Sequence, residues 1–256
     1  MIRFGVTLPQ FTAERDDFIG GALRAEAAGL DSIWVFDHLW PLSGGKARPI
    51  LECWTALGYV AAATERITIG TLVTRSTLRH PAVLAKMAET IADIAPDRLT
   101  IVIGSGDEAS RDENVAFGLP FLSGAARFEQ LRDTVDVVRA RVGTKAPVWV
   151  AGRSEEVRRM AGESADGWNA WEASAAEFAE EAATVRAAAR GRTVETTWAG
   201  LGRSDDLDAL AARLRSIAAA GASHLMCVFP DARTPGVYER FAGVAANVGR
   251  SLRGAG

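Results

Sequence analysis

Several short stretches put reactive or ligand-holding side chains directly after predicted strands. Asp37-His38 follows the apolar run Ser32–Phe36, and an imidazole there can exchange a proton near neutral pH. Gly104-Ser105-Gly106 closes the run Leu99–Ile103, with Asp107 and Glu108 next in line. Glycine lets a backbone approach a ligand closely, and Ser105 adds a hydroxyl. Either carboxylate is a candidate proton partner. One residue decides which of the two points inward, so spacing does not choose between them. Ala151-Gly152-Arg153 follows Val148–Val150 and precedes Ser154, an N-cap residue backed by Glu155 and Glu156. A guanidinium beside the free N–H groups of a helix N-terminus makes an anion site. Gly202-Arg203-Ser204, late in the chain, is the alternative. Trp40 and Trp168 stand at strand ends as candidate cavity walls.

What is missing narrows the chemistry. No Ser/His/Asp triad, strand-end lysine or spaced carboxylate pair stands out, which disfavours hydrolytic and Schiff-base mechanisms. With 3 histidines the chain is poor in ligands for a metallohydrolase centre. Its 2 cysteines, Cys53 and Cys227, are far apart and have no metal-ligand neighbours. So few protein reagents point to chemistry carried by a cofactor.

The elements that would position these residues alternate regularly. Strands are predicted at Ile2–Leu8, Ser32–Phe36, Ile67–Val73, Leu99–Ile103, Val148–Val150, Asp166–Ala170, Val194–Ala199 and His224–Phe229. Each is followed by a helical pattern: Glu14–Ala28, Leu51–Ala63, a helix opening at Pro81, Ala125–Arg141, one behind Ser154, Ala175–Ala189, Asp206–Ala219 and Val237–Val248. In the first helix Phe18, Ile19, Leu23 and Ala27 fall on one face. In the third the face is Val83, Leu84, Met87, Ile91 and Ile94. Two longer connections interrupt the rhythm: Asp37–Pro49, with Ser43-Gly44-Gly45, and the polar segment Asp107–Ser123. Eight strand–helix repeats favour an all-parallel α/β (β/α)₈ TIM barrel over an open doubly wound sheet. They form one domain over residues 1–256. In such barrels the active site lies at the strands' C-terminal ends, where the residues above fall.

The chain has 256 residues, 48% of them hydrophobic, and a net charge of −3. That balance argues against a nucleic-acid partner, which needs a clustered positive face. No apolar run approaches the ~20 residues that span a bilayer. The N-terminus enters a strand without a signal-peptide pattern, so a cytoplasmic protein is expected.

Three segments carry a family resemblance: GLDSIWVFDHLW, RITIGTLVTRSTLRHPAVLAKMAETIADIAPDRLTIVIGSG and PVWVAGRSEEVRRMAGESADGW. They resemble the luciferase-like oxidoreductase superfamily, from Phe4 to about Phe241. The Asp37-His38 pair is similar to the branch that uses the deazaflavin coenzyme F420. The resemblance implies a hydride exchanged between the deazaflavin and a small organic substrate. It places the ring against a bulge at Thr71-Leu72-Val73 with a cis peptide at Leu72–Val73. It further implies His38 near the reactive face, beside Asp37, with Asp107 or Glu108 as proton partner. Gly104, Ser105 and Gly106 would hold the cofactor with Trp168, and Ala151, Gly152 and Arg153 would take its phosphate. The alternatives are an FMN-dependent monooxygenase served by a separate cofactor reductase, and a catalytically silent cofactor-binding homologue. Relatives are commonly homodimers, here through the helices around Leu57–Ala63 and Leu84–Ile94. One departure stands out: only Val142–Ala146 connect the helix ending at Arg141 to the next strand, where many relatives carry an insertion. That predicts a more open mouth.

Overall fold

A computed structural model describes residues 2–11, 15–41 and 45–253. Strands β1 (Arg3–Thr7), β2 (Ser32–Val35), β3 (Thr68–Arg75), β4 (Leu99–Gly104), β5 (Val148–Ala151), β6 (Gly167–Trp171), β7 (Glu195–Leu201) and β8 (His224–Val228) pair in parallel in chain order. β8 returns to β1, from Arg3 opposite His224 to Val6 opposite Cys227. The barrel is closed, which removes the open-sheet alternative.

Around it lie α1 (Arg15–Ala27), α2 (Cys53–Ala63), α3 (Pro81–Ile94), α4 (Arg111–Ala116), α5 (Gly124–Val142), α6 (Glu155–Ser164), α7 (Ala175–Ala189), α8 (Leu207–Ala219) and α9 (Val237–Arg253). The expected helix start at Glu14, and Ser43 and Gly44, lie outside the described residues. None of the helices among the described residues is long and apolar enough to cross a membrane.

Two helix faces differ from expectation. In α3 the barrel-facing set is Leu84, Ala85, Ala88, Ile91 and Ala92, whereas Val83 and Ile94 are exposed. In α1, Ala22 and Ala25 are buried beside Phe18 and Ile19, while Leu23 and Ala27 are exposed. Close helix–barrel packing favours small side chains at the contact, and a count of large apolar residues misses them. The polar segment after β4 is not irregular throughout. Asp107 Oδ1 accepts from the Ser110 N–H at 3.2 Å and opens a short turn at Glu108–Ser110, which leads into α4. The buried side chains of that six-residue helix are Glu113 and Asn114, so no hydrophobic period marks it.

Alternation along each strand decides which residues see the barrel interior. Ile33, Val35, Ile101 and Val150 pack outward with the helices, while Trp34, Val102, Trp149 and Met226 cluster inside. The barrel floor is filled by the indoles of Trp34 and Trp149, 5.8 Å apart, with His224 edge-on to both. Gly5, Gly70 and Gly167 make room for them, since a Cβ at any of the three would lie within 2.7 Å of an indole atom. Ser32 Oγ accepts from Trp34 Nε1 at 2.7 Å and sits 2.7 Å from His224 Nε2. Full burial holds that imidazole well below its ordinary pKa, so it is neutral.

Candidate functional site

The C-terminal ends of the strands surround a cavity of about 660 Å³, within the usual range for a small-molecule site. Its wall at β3 is a bulge: Thr71 pairs with Ile101 and Thr74 with Ile103, so three steps on β3 match two on β4. The bulge turns both Leu72 and Val73 into the cavity, and the bond between them is cis. Gly104 lies opposite, where a Cβ would come within 2.8 Å of Val73 Cγ2.

His38, Leu72, Val73, Gly104, Ser105, Gly106, Asp107, Ala151, Gly152 and Arg153 all line this cavity. Asp37, Thr71, Glu108 and Trp168 do not, and strand alternation accounts for Thr71 and Trp168. Thr71 faces outward, its hydroxyl 3.2 Å from the Val102 carbonyl oxygen. Trp168 is likewise outward, fully buried 5.6 Å from the Phe178 ring. Its Nε1 donates to the Gly152 carbonyl at 2.8 Å, so it touches the site only through that loop. Glu108 is exposed and paired with Arg111. Trp40 lines the mouth as expected. The second tryptophan of the wall is Trp171, which is on the inward side of β6.

Asp37 is a structural anchor beneath the site. Its Oδ2 accepts from Thr74 Oγ1 at 3.0 Å and the Arg75 N–H at 2.9 Å. Arg79 grips both its oxygens, at 2.6 and 2.9 Å, and also pairs with Glu52. The carboxylate thus ties the end of β2 to the end of β3, next to the bulge.

His38 has a different partner. Its Nδ1 lies 3.0 Å from Glu113 Oε2, and Glu113 Oε1 accepts from the N–H groups of Leu39 and Trp40. Glu113 is buried and also paired with the buried Arg75, whose other arm meets Asn114 Oδ1. Burial alone would raise the Glu113 pKa. The hydrogen bond and charge of His38, the Leu39 N–H and the Arg75 guanidinium overcome it and hold the carboxyl at about 2. An ionised carboxylate only accepts, so His38 carries its hydrogen on Nδ1 and keeps Nε2 for the cavity.

At the opposite wall Ser154 caps α6, its hydroxyl accepting from the Val157 N–H. Gly152 has φ +149°, and a Cβ there would sit 3.0 Å from Val157 Cγ1. Arg153 donates to Glu181 at 2.8 Å and Glu177 at 2.9 Å, so its charge is shared with α7. The alternative anion site is absent from the cavity wall, and Arg203 pairs with Asp205 on the surface. Arg75 Nε is buried without a hydrogen-bond partner beside Gly106.

Glu113, Arg75, Asn114 and Arg79 were invisible to motif reading. The first three meet only when α4 folds back over the end of β3. Arg79 lies in the β3–α3 loop, where a charged residue is ordinary.

The family model described as luciferase-like monooxygenase matches residues 2–146 and 140–203. The F420-dependent glucose-6-phosphate dehydrogenase of Beutenbergia cavernae is 31% identical over 194 residues, covering 66% of this chain and 56% of the relative. That of Kineococcus radiotolerans is 34% identical over 173 residues, 57% of this chain and 50% of the relative. The chain therefore spans about half the length of these curated relatives. Among solved structures, an F420-dependent secondary alcohol dehydrogenase in complex with an F420–acetone adduct superposes with a TM-score of 0.79 at 18% identity, over 95% of this chain and 98% of that one. The coenzyme F420-dependent tetrahydromethanopterin reductase from Methanopyrus kandleri gives 0.75 at 15% identity, over 94% and 97%. At such identities the structural likeness speaks for the fold alone. The sequence match, running through the bulged β3, the Gly104–Gly106 turn and the Arg153 loop, makes this chain a member of the luciferase-like monooxygenase family.

Proposed function

We propose that this protein is a coenzyme F420-dependent oxidoreductase acting on a small organic substrate. The observation that carries the reading is one cavity joining an apolar β3 bulge, a histidine fixed by a buried carboxylate, and an arginine at a helix N-terminus. The curated relatives named as F420-dependent dehydrogenases support the coenzyme.

The residues present fit such a group. Leu72 and Val73 offer an apolar surface for a flat ring. Ser105 and the buried, unpartnered Arg75 Nε–H offer polar contacts at its edge. Arg153 and the backbone around Gly152 would hold a phosphate. When bound, the deazaflavin supplies or accepts the hydride. His38 Nε2 then exchanges the substrate's oxygen-bound proton, and Glu113 keeps the ring in that orientation. Asp107, at the cavity wall, is the second candidate for moving that proton. Glu108 is outside the wall and has no part in this scheme.

Titration of the purified chain with the deazaflavin and, separately, with FMN tests the reading through cofactor fluorescence. Selective micromolar binding of the deazaflavin is expected. Selective binding of FMN, with substrate-dependent oxygen uptake on reduction, would replace it with the monooxygenase that the family description names. Binding without turnover over a broad substrate panel would make the protein a silent homologue.

The exposed Tyr59, Val83 and Ile94 on α2 and α3 support a homodimer through those helices, and sedimentation as a monomer at micromolar concentration would rule it out. A separate cofactor reductase enters only if the coenzyme is FMN. The buried free thiols of Cys53 and Cys227 suit a reducing, cytoplasmic compartment.

A further inference from the structure

Two amide side chains among the described residues line the cavity, Gln10 and Asn169. Gln10 is used up internally. Its Nε2 donates to the Phe36 and Leu51 carbonyls at 2.8 and 2.6 Å, and its Oε1 accepts from the Phe36 N–H at 2.7 Å. Asn169 is only half used. Its Nδ2 donates to Thr197 Oγ1 at 3.1 Å, and its side-chain carbonyl has no donor among the described residues.

The strand decides where that carbonyl points. Gly167, Asn169 and Trp171 share the inner face of β6. A Cβ at Gly167 would meet the Trp149 indole at 2.5 Å, and Trp171 is in the cavity wall. Asn169 therefore sits above the indole floor, 2% exposed, between Ala151 of β5 and Thr197 of β7. The Thr197 hydroxyl fixes the amide. Its single hydrogen goes to the Trp168 carbonyl at 2.9 Å, so toward Asn169 it can only accept. Turning the amide over would set two acceptors against each other. Nδ2 faces Thr197, and Oδ1 is left for the cavity. A buried carbonyl aimed at a ligand site loses its water when the ligand arrives, which costs affinity unless the ligand brings a donor.

We propose that Asn169 is a further binding residue, whose side-chain oxygen takes an O–H or N–H of the bound ligand. The deazaflavin carries such donors on its ring and polyol chain, and a hydroxylated substrate carries them as well. Thr197, outside the cavity wall, is the positioning residue that turns the oxygen inward. The inference rests on the coenzyme reading only for the choice of the first probe.

The test compares the native chain with Asn169→Leu and Asn169→Asp. Leucine fills the space and removes both polar atoms. Aspartate keeps an oxygen toward the cavity and, as an anion, loses the bond to Thr197. A role confined to joining β6 to β7 predicts equal damage from both; an acceptor role predicts damage from leucine alone. Fluorescence titrations with the deazaflavin and with FMN are followed by calorimetry with glucose 6-phosphate, on the proteins alone and loaded with the cofactor that binds. At least one of these ligands is expected to bind Asn169→Leu about ten- to a hundredfold more weakly than the native chain, and Asn169→Asp within about threefold of it. A loss confined to the cofactor makes the cofactor the donor, and a loss confined to the sugar phosphate makes it the substrate. Equal losses in both variants would overturn the inference, as would equal affinities in all three proteins. So would a native chain that binds none of the three ligands. If FMN alone binds and shows the loss, the coenzyme reading falls and Asn169 keeps its role. If the deazaflavin binds and no ligand distinguishes the variants, the coenzyme reading stands and this inference falls. Asn169→Ala takes the place of the leucine variant if that protein does not fold.

Discussion

The imidazole of His38 and the carboxylate of Glu113 are 75 residues apart in the chain and 3.0 Å apart in the fold. The same carboxylate fastens the backbone of Leu39 and Trp40 and pairs with Arg75. One buried anion therefore sets the loop, the tautomer and the orientation of the residue that faces the cavity. Replacing it by glutamine keeps the shape and removes the charge. Glu113→Gln leaves Arg75 buried without its anion, a loss expected to cost about 3–5 kcal/mol, read from the denaturant midpoint. His38→Ala removes the side-chain hydrogen bond that does most to lower the Glu113 pKa, so the chain should still fold but lose about 1–3 kcal/mol of stability, and turnover should fall about a hundredfold. An undiminished rate would take His38 out of the mechanism.

Acid stability follows from the same carboxylate. Its pKa is about 2 in the folded chain against an ordinary 4.5. Between those values the unfolded chain binds a proton that the folded chain does not. The contribution of Glu113 is then fully present above pH 4.5 and lost as pH falls toward 2. The difference in unfolding free energy between the native chain and Glu113→Gln should shrink by about 3 kcal/mol across that window. Urea titrations at several pH values measure it.

Asp107 and Glu108 are adjacent in the chain and separated by the cavity wall. Asp107→Asn retains a side chain able to cap the turn at Ser110 while losing the charge. Turnover should fall, with a melting temperature close to that of the native chain. Glu108→Gln should change neither. A drop in turnover for Glu108→Gln alone would reverse the assignment of the proton partner.

Arg153 shares its charge with Glu177 and Glu181. Removing it by Arg153→Ala should weaken deazaflavin binding about tenfold, the scale of a charge-assisted hydrogen bond. Glu177→Gln should shift the affinity the other way, because a competing anion is gone. Fluorescence titration of the three proteins decides it.

The barrel was readable because its signals are local and repeated: buried β-branched strands, a proline opening α3 and a glycine closing α1. Several wall residues could be named for the same reason, since a strand end is a position in the sequence. Sidedness could not be read as well. Thr71 and Trp168 stand at strand ends and face outward, and Asp37 differs from His38 by the single step that reverses direction. Glu113 was beyond reach for another reason. Its neighbours are supplied by a loop and a strand far away in the chain, and a carboxylate in a short polar helix resembles a solvated one until α4 is in place.

The packed floor of Trp34, Trp149 and His224 has a kinetic consequence. Nothing can pass along the barrel axis, so every ligand enters and leaves through the same door.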